Sequence, residues 1–107
     1  MAENTAENST VKEIEVAGVK FTVDTDRLDD VESLEFIERI ENKGQVAAVL
    51  PLLKFIMGDK AFEELKAAFI KQDAEEHKDV EGYQPRMRVG KLNDVYMAII
   101  EKFDPKG

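Results

Sequence analysis

A chain of 107 residues is the size of one domain with a single core, and 43% hydrophobic with 36% charged residues is a globular balance. With no cysteine, one histidine (His77) and two serines (Ser9 and Ser33), the chain excludes disulfide frameworks, thiolate metal sites and most hydrolytic constellations. No apolar run approaches the ~20 residues that span a bilayer and no signal peptide opens the chain, so a soluble protein of the cytoplasm is expected.

The net charge of −8 is unevenly placed. Met1 to Glu41 holds 12 acidic and 4 basic residues, which accounts for all of it, while Asn42 to Gly107 holds 11 of each. An acidic front repels phosphate backbones and anionic headgroups, which argues against nucleic acid and membrane as partners. A neutral or basic protein surface suits it better.

In chain order, Met1–Thr10 is polar and reads as a disordered tail, followed by a single domain over 11–104. Alternation from Lys12 to Val23 predicts a hairpin over about 12–23, turning at Ala17-Gly18. In that register Val16 faces Val19 and Ile14 faces Phe21, and Glu15 lies across from Lys20 on the opposite face. Ala17 is the weak point, because tight hairpin turns prefer Asn-Gly or Asp-Gly.

Helices are predicted near 30–43, 45–57, 59–74 and 89–103, giving a mainly α fold: a small four-helix domain behind an N-terminal β-hairpin. For the first, Asp29 and Glu32 form a capping box, Val31, Leu34, Ile37 and Ile40 face inward with Phe36 on the flank, and Gly44 ends the helix. The second is apolar nearly all round and belongs in the core, with Pro51 marking a kink or a restart. Gly58 closes it and Asp59 caps the third, which buries Phe62, Leu65 and Phe69. Gln72 to Arg88 is polar, its later part an exposed loop. The last helix buries Leu92, Val95, Tyr96, Ile99, Ile100 and Phe103 before Asp104-Pro105 terminates it.

No catalytic, cofactor or metal site is expected. Asp24, Asp26, Glu32 and Glu35 match four positions of a calcium-loop spacing, but Leu28 and Asp29 stand where an oxygen ligand and a glycine are needed, so the acidic groups read as caps and solvated charge. His77 sits between Glu76 and Lys78 without a nucleophile motif and reads as an exposed, non-catalytic side chain. The carboxylate pairs Asp29-Asp30, Glu63-Glu64 and Glu75-Glu76 are sequence neighbours, which diverge by ~100° on a helix. An enzyme is therefore not expected. Leu52, Phe55, Tyr83, Met87 and Met97 remain as candidate partner-contact residues. For Leu52, Phe55 and Met97 the scarcity of spare apolar residues in a small domain favours a place in the core.

The order of these segments, VAGVKFTVD, then DDVESLEFIERIEN, then LLKFIMGDKAFEELKAAF, a polar loop, and LNDVYMAIIEKF, resembles the tail assembly chaperones of long non-contractile-tailed bacteriophages and their prophages. The likeness runs from about Val16 to Phe103 and is most specific at Met57-Gly58-Asp59 with Phe62 after it. It implies a protein that binds the tape measure protein and keeps it soluble while the tail tube assembles, acting in the host cytoplasm and absent from the mature virion. It also implies a longer form, made by programmed frameshifting, that contacts the tail tube protein, and self-association. The competing reading is a small acidic regulator that mimics nucleic acid on a basic host protein.

Overall fold

The computed structural model describes residues 10–103. The expected tail, apart from Thr10, and the Asp104-Pro105 terminator lie outside them. The chain turns first at Ala17 and Gly18, whose φ angles of 53° and 83° are both left-handed. This is the turn geometry that lets two strands twist together with only two residues between them. The flanking strands, β1 (Val11–Val16) and β2 (Val19–Asp24), pair antiparallel in the expected register, Ile14 opposite Phe21 and Glu15 opposite Lys20. Ile14, Phe21 and Val23 are buried, while Glu13, Glu15, Lys20 and Thr22 face solvent. The hairpin is clasped at its base, where the Thr10 hydroxyl donates to Asp24 (2.6 Å) and the Thr25 amide donates to the Thr10 carbonyl (2.8 Å).

A one-turn helix that the sequence did not announce comes next, α1 (Thr25–Leu28). Asp24 caps it by accepting from the Asp26 amide (3.0 Å), and its single buried side chain is Leu28. This element shifts the cap of the following helix, α2 (Val31–Lys43). Asp29 closes α1 with its own amide, and Asp30 instead accepts from the Glu32 amide (2.8 Å). The expected Asp29–Glu32 capping box is therefore corrected by one residue.

The face that α2 buries also differs. Val31 is 71% and Leu34 48% exposed, whereas Ser33 and Ile37 are buried and Phe36 and Ile40 half-buried. The cause is α1, which brings the Arg27 carbonyl over α2, where the Ser33 hydroxyl donates to it (2.7 Å). A satisfied serine can be buried at little cost, and the helix rotates to put it inside.

Gly44, left-handed at φ 66°, ends α2, and the Gln45 amide returns to the Arg39 carbonyl (2.9 Å). The predicted second helix is a 3₁₀ turn (Val46–Ala48) running into α3 (Val49–Met57). Pro51 thus stands in the first turn of α3, where its missing N–H would have had no α-helical partner, and it marks a restart rather than a kink. Val49, Leu52, Leu53 and Ile56 are fully buried at the centre of the core.

Gly58 separates α3 from α4 (Asp59–Glu76) with φ 88° and ψ 154°, a backbone conformation essentially reserved for glycine. No side chain caps α4, so Asp59 is its first residue rather than its cap. Phe62, Leu65 and Phe69 are buried along α4 as expected, with Asp73 one turn further on. The Gln72 side-chain amide donates to the Ala17 carbonyl (2.7 Å), tying the hairpin turn to the end of α4. After a loop, α5 (Val89–Phe103) closes the domain and buries Val95, Tyr96 and Ile99, while the Tyr96 hydroxyl donates to Glu41 on α2 (2.8 Å). The fold is mainly α with an N-terminal hairpin, and among the described residues no helix is long and apolar enough to cross a membrane.

Candidate functional site

The five candidate contact residues do not share a surface role. Leu52 is 0% exposed, one of the central side chains of the core, which removes it from any contact surface. Phe55 and Met87 are half-buried and pack against that core, and the Arg27 guanidinium lies 5.6 Å over the Phe55 ring. Tyr83 is half-buried inside the loop after α4. Met97, at 45%, is the one of the five that is plainly exposed. Sequence periodicity missed the other exposed apolar groups on the helices: Val31 and Leu34 one turn apart on α2, Val46 and Leu50 one turn apart around the start of α3, and Val89 on α5.

The densest polar chemistry surrounds Asp73. Its side chain is 8% exposed. It accepts hydrogen bonds from the Tyr83 hydroxyl and from the Arg86 amide (3.0 Å). Arg88 adds charge, with Nε 3.9 Å from the carboxylate, and donates from Nη2 to the Tyr83 oxygen (2.6 Å). A relay thus runs Arg88 to Tyr83 to Asp73. His77 stacks on the Tyr83 ring, centroids 4.1 Å apart, and its Nδ1 lies 2.9 Å from the Asp73 carbonyl. Since a carbonyl only accepts, that contact places a proton on Nδ1 and leaves Nε2 as the lone-pair nitrogen of the neutral ring. His77, expected to be exposed, is instead a half-buried part of the loop's framework.

These contacts gather a glycine- and proline-containing segment around a single carboxylate. The Tyr83 hydrogen bond, then the Arg86 amide and the charges of His77 and Arg88, outweigh the opposing effect of burial and lower the Asp73 pKa below its ordinary value. The Arg88 pKa is raised in turn, chiefly by its hydrogen bond to Tyr83. A lowered carboxylate stabilises the fold above its unfolded pKa of about 3.9, and that contribution disappears as pH falls through the lower folded value. Asp73→Asn is therefore expected to be less stable than the parent at neutral pH and to converge on it in strong acid. A gap that stayed constant in pH-dependent thermal melts would show that the charge of Asp73 is not what holds the loop.

Beside this network lies a cleft of about 210 Å³, bounded by Phe69, Gln72 and Asp73 on one side and by Arg86, Arg88 and Lys91 on the other. Asp73, Glu76 and His77 each offer a ligand atom within 4.8 Å of the others. Two oxygens already engaged by Tyr83, Arg86 and Arg88, with three cationic side chains around the same space, make a poor seat for a metal cation. The calcium-spaced residues are dispersed in the fold: Asp24 caps α1, Asp26 lies within it, and Glu32 and Glu35 are exposed on α2. Comparison of the chain with protein-family models, with curated proteins and with solved structures found no match in any of the three.

Proposed function

We propose that this domain is a tail assembly chaperone that covers apolar stretches of a tape measure protein and keeps it soluble during tail tube assembly. The observation that carries the reading is the apolar surface left over once the core is complete. Val31 and Leu34 on α2, Leu50 on α3 and Met97 on α5 are each at least 40% exposed, although the core beneath them is closed. Helix-borne apolar groups of this kind suit a helix-packing contact with a long helical chain. The excess negative charge of the first 41 residues would keep the coated complex soluble through mutual repulsion. On this reading the protein works in the host cytoplasm and stays out of the virion, and a frameshifted longer form carries the contact to the tail tube protein.

The test is a tagged pull-down, read by mass spectrometry, from cells expressing the native gene neighbourhood. Recovery of a very long helical protein at both low and high salt is expected, with capture lost in a Leu34→Glu, Met97→Glu variant that keeps its circular dichroism. Undiminished capture by that variant would remove this surface from the reading. A second reading has its own observation. Glu32, Glu35, Glu38 and Glu41 recur every three residues along α2, all exposed, and such a row of carboxylates winding around the helix suits mimicry of a phosphate backbone. Recovery of a basic nucleic-acid-binding protein that is lost as salt rises would favour it.

A further inference from the structure

The cleft between the end of α4 and the start of α5 runs against the charge of the chain that builds it. The protein carries −8, yet Arg86, Arg88 and Lys91 fall within six consecutive residues with no acidic residue among them. All three line the cleft. Asp73 and Glu76 face the same space, so three cations against two carboxylates leave it at +1 with His77 neutral and at +2 with His77 protonated. The carboxylates are not equivalent: Asp73 is buried and engaged by the loop, and Glu76 is exposed at the rim.

The two guanidinium groups are held before any ligand arrives. Arg88 donates to the Tyr83 oxygen (2.6 Å), and Arg86 Nε donates to the Gln84 carbonyl (3.1 Å). Their guanidinium carbons sit 5.8 and 5.7 Å over the Tyr83 ring. A guanidinium has five N–H donors, and these hydrogen bonds occupy one on each. Fixing long side chains in advance lowers the ordering cost of binding, and a planar fork of donors matches the oxygens of phosphate and carboxylate groups. Lys91, half-buried at the start of α5, adds a further donor.

We propose that this cleft is a binding site for a small oxyanion, a phosphate or carboxylate group, held by Arg86, Arg88 and Lys91. His77 lines the site and is the chain's only histidine, so its imidazole resonances report occupancy without labelling. The experiment titrates the full chain with inorganic phosphate, and separately with succinate, at constant ionic strength set by chloride. Saturable shifts of the His77 resonances are expected, with affinity falling by roughly tenfold in Lys91→Gln, the order of a lost charge-assisted hydrogen bond. Glu76→Gln removes the opposing rim charge and is expected to tighten binding. Saturation by phosphate but not succinate assigns a phosphate-bearing ligand, and the reverse assigns a carboxylate.

Two results overturn the proposal. One is a linear, unsaturated response to both anions in the parent chain. The other is weaker binding in Glu76→Gln, accompanied by broadening of His77 by manganese, which would make Asp73, Glu76 and His77 a cation site instead. The side chains of Lys91 and Glu76 take no part in the hydrogen bonds among Asp73, Tyr83, Arg86 and Arg88, so both variants test the site without dismantling the loop.

Discussion

Leu52→Ala is expected to cost ~2–5 kcal/mol of stability, the range for truncating a fully buried leucine, while Met97→Ala at the surface is expected to change stability by less than about 0.5 kcal/mol. The contrast follows from position. Leu52 has no exposed surface and sits among Val49, Leu53 and Ile56 on α3, against the buried faces of the other helices. A cavity there cannot refill with water favourably, and its neighbours are held by their own helices, so collapse is incomplete. Against a total of ~5–15 kcal/mol for a small domain, the loss is large. Urea denaturation read by circular dichroism measures both variants. A Leu52→Ala midpoint indistinguishable from the parent would show that α3 is not the centre of the core. The comparison also bears on binding: a partner lost from Leu52→Ala is lost through unfolding, whereas one lost from a folded Met97 variant is lost through contact.

Gly58→Ala is expected to lose ~1–3 kcal/mol, the cost of forcing a side chain into a glycine-only backbone region. At ~4–8 °C per kcal/mol for a domain of this size, the melting temperature falls visibly. Crowding is not the reason, since a Cβ at Gly58 would meet nothing within 4 Å. The hydrogen bonds through this residue, its amide to Lys54 (2.9 Å) and its carbonyl from Phe62 (3.0 Å), hold the two helix ends together and keep φ and ψ where they are. The strain is therefore not relieved by a small local shift. By comparison, Gly44→Ala at φ 66° meets a milder left-handed region and should lose less. Equal melting temperatures for the parent and Gly58→Ala would mean that the α3–α4 junction can relax, and that its angle is not fixed by the glycine.

Much of this architecture was legible because it rests on local physics. The hairpin register followed from alternation, since a slip of one residue would have turned Ile14, Phe21 and Val23 outward. The helix breaks at Gly44 and Gly58 followed from the one residue type that accepts positive φ at no steric cost. What could not be read depended on contacts far apart in sequence. The rotation of α2 that exposes Val31 and Leu34 is set by the Arg27 carbonyl reaching Ser33, and a pattern count treats a serine as an outward residue. Asp73 was invisible for a similar reason. Nothing in the adjoining Lys71-Gln72 or Ala74-Glu75 distinguishes it, and its importance comes from Tyr83, Arg86 and Arg88 folding back ten to fifteen residues later. A usable signal did exist: a lone aspartate continuing the Phe62, Leu65, Phe69 stripe belongs on the buried face and so demands partners.

Gln72 and Asp73 are neighbours on α4, and they secure opposite ends of the chain. One holds the hairpin turn through Ala17, 55 residues earlier, and the other holds the loop through Tyr83 and Arg86. If α4 frays from its end back past Gln72, both attachments are released in the same event. The hairpin turn and the loop after α4 are thereby coupled through α4 into one cooperative opening unit. Whatever binds near the end of α4 would slow that opening and quieten the distant hairpin turn along with the loop.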